Sequence, residues 1–286
     1  MLASLLLLAQ VVVPLTVCEP TNMLLVEGSL DGTPCTLVFD TGATHTSLDE
    51  NFVAKAMPEA KPQPVMLAGT SNANFVPKIA MSKVLKVGEV AFEGYPVMAI
   101  PFPPLSEKLG RPVHGILGMD IIGQMPVVLS VAKGEVIFNP DDMTGFGPPL
   151  KFDRRDYDGS PKLMYQAADG TCKTMLVDSG SSISFINDPA DWPAEDLEAS
   201  TMGATDVNGR AAMAMRPGKP GILKLKTAKG GDFAIAYRPL VNPGAPCSYL
   251  GADTLKHYDL FLRLPYLGLR PVDGGGQELD KTINKE

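Results

Sequence analysis

The chain has 286 residues with 25 basic and 32 acidic side chains, a net charge of −7, and its lysines and arginines are scattered, which argues against a nucleic-acid partner. Past the apolar start no stretch is long enough to cross a bilayer, so no stable membrane insertion is expected. Gly 28 and Pro 26, set against few long periodic segments, point to a turn-rich, mainly β chain.

In chain order, the first stretch is LASLLLLAQVVVPL, Leu2 to Leu15, which has the length of a signal-peptide core. A leader over residues 1–18 and export to a periplasmic or extracellular space are expected. The alternatives are a misassigned start or an apolar first strand packed into the fold, since no Lys or Arg precedes Lys55. The remainder, roughly 265 residues, suffices for two ordinary domains. After an apolar run ending in Asp40, Asp49 to Met57 reads as a short helix with acidic residues at its start. Pro58 to Pro64 is a loop. Val65-Met66-Leu67 and Phe75 to Met81 flank Gly69 to Asn74, a hairpin by turn chemistry. Val84 to Ile100 is a second hairpin, turning near Gly88-Glu89 and Glu93-Gly94. A Pro-rich loop, Pro101 to Pro112, leads to HGILGMDII, His114 to Ile122, and a hairpin through Val128 to Phe138. Asn139 to Lys162 is polar, Gly/Pro-rich and without periodicity. The expected division is therefore an N-terminal lobe over 19–140, a linker over 141–162, a C-terminal lobe over 163–270 and a disordered tail over 271–286.

The division rests on a repeat. LVFDTGATHTSL, Leu37 to Leu48, returns as MLVDSGSSISFI, Met175 to Ile186, aligning Asp40 with Asp178, Thr41 with Ser179 and Gly42 with Gly180. Upstream, Asp31-Gly32-Thr33 and Asp169-Gly170-Thr171 each begin nine residues before their aspartate. Downstream, Ile116-Leu117-Gly118-Met119-Asp120 matches Tyr249-Leu250-Gly251-Ala252-Asp253, the second copy arriving five residues sooner after its triplet. In both copies the apolar run reads as a buried strand, the aspartate falls where the strand ends, and the glycine permits a sharp turn. Two such lobes facing each other would bring two carboxylates together. Like charges a few Å apart share one proton, so the neutral carboxyl can polarise a carbonyl while the charged one takes a proton from water. That is general acid–base hydrolysis with no covalent intermediate.

An apolar-Asp-Thr/Ser-Gly segment followed some seventy residues later by apolar-apolar-Gly, the whole occurring twice, resembles the pepsin/retropepsin clan of aspartic proteases. It is nearest in character to bacterial two-lobed members with retropepsin-like halves. The resemblance covers roughly residues 23 to 270 and implies an all-β, bilobed fold with pseudo-twofold symmetry and short helices. It implies Asp40 and Asp178 as the catalytic pair, Thr41 and Ser179 as hydroxyls that lock the two loops, and Gly118 and Gly251 as turns of the buttressing strands. Gly42, Gly180, Thr44, Ser181 and Ser182 are expected to support the pair. A flap closing over substrate falls on Val65 to Met81, which lacks the tyrosine of pepsin-type flaps. The implied activity is that of an aspartic endopeptidase acting on a peptide or protein substrate as a monomer. The alternative is a catalytically weak peptide-binding or processing protein that keeps the fold.

Other residues have simpler readings. Asp120 and Asp253 are expected to cap the short helix after each glycine turn. His45, His114 and His257 lack metal-ligand spacing, no nucleotide, zinc or serine-nucleophile motif is present, and neither a metal nor a cofactor is expected. Trp192 reads as a packing anchor. The four cysteines do not make a disulfide framework, and Cys172 with Cys247 leave a bridge or two free thiols open. Pepsin-like lobes carry Ser or Thr after each triplet. Here Ser181 fills that place in the second copy and Ala43 in the first, which predicts one hydroxyl donor fewer and a less acidic rate profile.

Overall fold

The structure is a computed structural model that describes residues 9–65, 76–102, 105–153, 159–197, 215–243 and 245–272. β1 (Val11–Cys18) buries Val13 and Leu15 and turns Val12, Pro14 and Thr16 outward, the period-two pattern of a half-buried strand. β2 (Met23–Leu30) and β3 (Thr33–Phe39) form an antiparallel hairpin through Asp31 and Gly32, both at positive φ (47° and 86°), where a short polar residue or glycine is at ease. β4 (Ser47–Asp49) runs into α1 (Glu50–Ala56), whose first turn donates Asn51 N and Phe52 N to the Asp49 carboxylate. β5 (Gln63–Pro64) pairs with β6 (Lys78–Met81), and Val65 N donates to Pro77 O, so the base of the expected flap hairpin is formed. Its tip, 66–75, lies outside the described residues. There follow β7 (Val84–Val87), β8 (Val90–Glu93), β9 (Pro96–Ile100), α2 (Leu105–Leu109), β10 (Gly115–Leu117), α3 (Met119–Ile122), β11 (Val127–Ser130) and β12 (Glu135–Phe138).

The second half repeats the plan with β13 (Lys162–Gln166), β14 (Cys172–Val177), β15 (Phe185–Ile186), β16 (Arg216–Pro217), β17 (Gly221–Lys226), β18 (Asp232–Tyr237), β19 (Leu240–Val241), β20 (Ser248–Leu250), α4 (Ala252–Leu255), β21 (Tyr258–Arg263) and β22 (Tyr266–Pro271). In each half the aspartate-bearing strand lies beside the apolar-apolar-Gly strand. β10 runs parallel to β3 and antiparallel to β4; β20 runs parallel to β14 and antiparallel to β15. The fold is mainly β with few short helices, two lobes related by this repeated crossing. Trp192 is buried against Tyr237, with ring centroids 5.8 Å apart, an anchor for the loop it stands in. Among the described residues Cys18, Cys35, Cys172 and Cys247 form no disulfide.

Three boundaries differ from expectation. Residues 11–18, read as leader, are β1, paired with β12 on one side and β2 on the other, so removal of the whole of 1–18 would take out a strand that joins them. Its alternation of buried and exposed residues is a strand pattern, which the run of apolar letters masks. The second-lobe boundary at 270 also does not follow the hydrogen bonding. β21 pairs with β11 (Val128↔Phe261) and β22 with β21, so the last strands complete the sheet of the first half. All four β11 residues are buried and need a neighbour on each side. The linker, finally, is fastened: Gly147 N donates to Leu269 O and Leu150 N to Leu267 O, while Arg270 stacks over Phe146 and bonds Thr144 O. Residues 154–158 and the tail over 273–286 lie outside the described residues.

Candidate active site

Both aspartates leave the end of a buried strand, Asp40 after β3 and Asp178 after β14, and their backbones are tied to the adjacent strand. Asp40 N donates to Leu117 O at 3.1 Å and Asp178 N to Leu250 O at 3.0 Å. The turn that follows aims its N–H groups back at the side chain. Asp40 Oδ1 accepts from Gly42 N (2.8 Å) and Ala43 N (3.0 Å), and Asp178 Oδ1 from Gly180 N and Ser181 N (both 3.0 Å). The two carboxyls meet across the lobes and hydrogen-bond to each other. Only glycine allows this approach. A Cβ on Gly42 would stand 2.5 Å from Asp178 Cγ, and one on Gly180 2.4 Å from Asp40 Cγ.

Burial raises both carboxyls above the ordinary carboxylate range. Asp40 is held back by its hydrogen bond with Asp178 and by the N–H groups of Gly42, Ala43 and Gly180. Asp178 is pushed further by the charge of Asp40, to about 8. One proton is therefore shared between the two carboxyls.

Thr41 and Ser179, both fully buried, cross between the loops. Thr41 N donates to Ser179 Oγ (3.0 Å) and Ser179 N to Thr41 Oγ1 (3.0 Å); the hydroxyls donate onward to Val177 O (2.6 Å) and Phe39 O (2.8 Å). Every one of these four bonds joins one lobe to the other. Gly118 and Gly251 lie where the crossing strands touch the dyad loops. A Cβ there would stand 2.6 Å from the His45 carbonyl carbon and 2.4 Å from Ile183 O.

Other expected supporters face elsewhere. The Ser181 hydroxyl donates to Ile183 O (2.8 Å), so Ser181 serves Asp178 through its backbone alone. The Thr44 hydroxyl pairs with His45 Nδ1 (2.8 Å) at the exposed rim, and Ser182 offers its carbonyl to Asn22 Nδ2 (3.5 Å). Nor do Asp120 and Asp253 cap their helices. The N-caps of α3 and α4 are Gly118 and Gly251, with no side-chain cap bond, and the two carboxylates instead accept from Thr46 and Ser184. Sequence reading missed those two hydroxyls, although each stands six residues after its aspartate in the repeat. His114 is structural: its Nδ1 accepts from Thr36 N (3.0 Å), its ring lies 4.6 Å from Phe52, and burial lowers its pKa.

Residues 26–121, from within β2 to within α3, match the family model described as Aspartyl protease. No curated protein matches the chain. The match supports a protease-like, hydrolytic function. Together with the mainly β fold and its repeated crossing, the match supports likeness to the pepsin/retropepsin-like aspartyl protease clan over those residues.

Proposed function

We propose that the protein is an aspartic endopeptidase that hydrolyses peptide bonds through a water activated between Asp40 and Asp178. The observation that carries this reading is the pair of carboxyls hydrogen-bonded to each other at the ends of strands from two lobes, both raised above the ordinary range. Such a pair holds one proton and one charge at the same time, the two states that acid and base roles require. In the proposed reaction Asp40 takes a proton from the water as the water oxygen adds to the substrate carbonyl carbon. Asp178 gives its proton to the carbonyl oxygen. When the resulting gem-diol collapses, Asp40 passes its proton to the leaving nitrogen and a gem-diol hydroxyl returns one to Asp178. The C–N bond breaks, one water is consumed and the pair is restored. The Thr41–Ser179 crossing supports this reading because it fixes the two loops against each other before substrate arrives.

Digestion of a peptide library tests the proposal. Asp40→Asn and Asp178→Asn should each abolish turnover, and the double variant should be hardly worse, because groups acting as one unit are not additive. Substantial cleavage by either single variant would place the chemistry elsewhere. A protein that binds the transition-state mimic pepstatin through both aspartates yet cleaves nothing would be the peptide-binding alternative. Export is proposed on the apolar start alone. Cleavage ahead of Val11 would preserve β1, and the mass of the mature chain tests it.

A further inference from the structure

Asp120 and Asp253 occupy the same place in each half of the repeat and take no part in the proposed acid–base steps. Their role follows from tracing hydrogen bonds outward from the dyad backbone. Asp40 N–H donates to the Leu117 carbonyl at 3.1 Å. The N–H of that same peptide, on Gly118, donates to Thr46 Oγ1 at 3.0 Å, and the Thr46 hydroxyl donates to Asp120 Oδ1 at 2.7 Å. The second lobe repeats every link. Asp178 N–H donates to the Leu250 carbonyl at 3.0 Å, Gly251 N–H to Ser184 Oγ at 2.8 Å, and the Ser184 hydroxyl to Asp253 Oδ1 at 2.6 Å.

In both chains all donors point the same way, from the dyad residue toward the outer carboxylate. Hydrogen bonds linked head to tail polarise one another, and a charged acceptor at the end strengthens the series. The middle links are sealed from water, Thr46 being 1 % exposed and Ser184 0 %. Asp120 is itself fixed, since both its oxygens accept from Thr46 N at 2.9 Å and the Tyr95 hydroxyl also bonds to it. Asp253 is held by Thr254 N at 2.7 Å.

We propose that Asp120 and Asp253 are positioning residues for the dyad, acting through Thr46 and Ser184 and one peptide plane apiece to fix and polarise the backbone N–H of Asp40 and of Asp178. The inference gives a use to the dyad reading above and rests on it for its catalytic consequence, but the relay itself is a property of the folded chain. Each lobe carries its own relay, so damage to one should be felt at one aspartate.

The test uses the full chain with ¹⁵N label at aspartate. In Thr46→Val the Asp40 amide proton should move upfield while the Asp178 amide stays in place. Ser184→Ala should do the reverse. Thr46→Ser should return the Asp40 signal. Asp120→Asn, which keeps an acceptor and removes the charge, should give a smaller shift in the same direction and serves if Thr46→Val does not fold. With a peptide substrate, Thr46→Val should lower kcat about tenfold with KM little changed, as expected when an interaction made at the transition state is lost. Thr46→Ser should recover the rate. An Asp40 amide unmoved in both Thr46→Val and Asp120→Asn would overturn the relay, as would an unchanged kcat. A wild type that cleaves no peptide would end the endopeptidase reading and leave the amide shifts to decide the relay.

Discussion

At the residue scale, the repeat in the sequence singles out Asp40 and Asp178, and the fold brings their carboxyls together; the direction of the side chains around them leaves no such mark. Ser181 and Ala43 differ by a hydroxyl, and the sequence suggests an asymmetry in how the carboxylates are solvated. That hydroxyl donates to Ile183 O, two residues along its own loop, and leaves both carboxylates with backbone donors only on the turn side. Ala43→Ser should therefore leave the acid limb of the rate profile where it is, which a pair of pH–rate curves on one peptide would check. The charge on the dyad has a stability consequence with a definite sign. A carboxyl raised on folding stabilises the fold fully below its unfolded value, and the benefit is lost as pH rises through the folded value. For Asp178 that window runs from 3.8 to about 8. Asp178→Asn, which stays neutral, should melt above wild type at pH 8, and the gap should close as pH falls toward 4. Thermal melts across that range measure it.

At the element scale, hairpins and crossings were readable wherever a turn residue or a strand of period two announced them. The β2–β3 turn at Asp31-Gly32 and the turns at Gly88 and Gly94 lie where Gly and Asp predict them, all at positive φ. The helices after Gly118 and Gly251 were readable, but the role of their first acidic residue was not. A cap and an inward acceptor look alike in sequence, and what distinguishes them is a dyad loop, 74 residues away for Asp120 and 69 for Asp253, passing close by. Thr41 and Ser179 show the same limit from the favourable side, since the family pattern named them and only the fold supplies their partners. Each hydroxyl both donates and accepts across the lobes. Thr41→Val leaves a buried N–H and a buried carbonyl without it, and each orphan costs ~1–3 kcal/mol. Urea unfolding should show that loss in Thr41→Val and a similar one in Ser179→Ala, with the dyad loops loosened.

At the scale of the whole molecule, two lobes were legible and the seam between them was not. Registers between distant strands leave no local trace, and β1 hid inside an apolar run. Deleting residues 9–18 should unfold the sheet between β12 and β2 and not merely shorten a leader; circular dichroism and solubility of the truncated chain would test this. The pairing of β21 with β11 has a consequence in time. A ribosome delivers β11 long before its neighbour: residues 130 to 258 take on the order of ten seconds to make at typical synthesis rates. For that interval the nascent chain carries an apolar strand with one unpaired edge, a template for any β21–β22 hairpin that is already finished. The donor nearest to hand is another copy. Crowded synthesis or concentrated refolding should therefore yield exchanged dimers, each chain's last hairpin closing its neighbour's sheet, and dilution before refolding should suppress them.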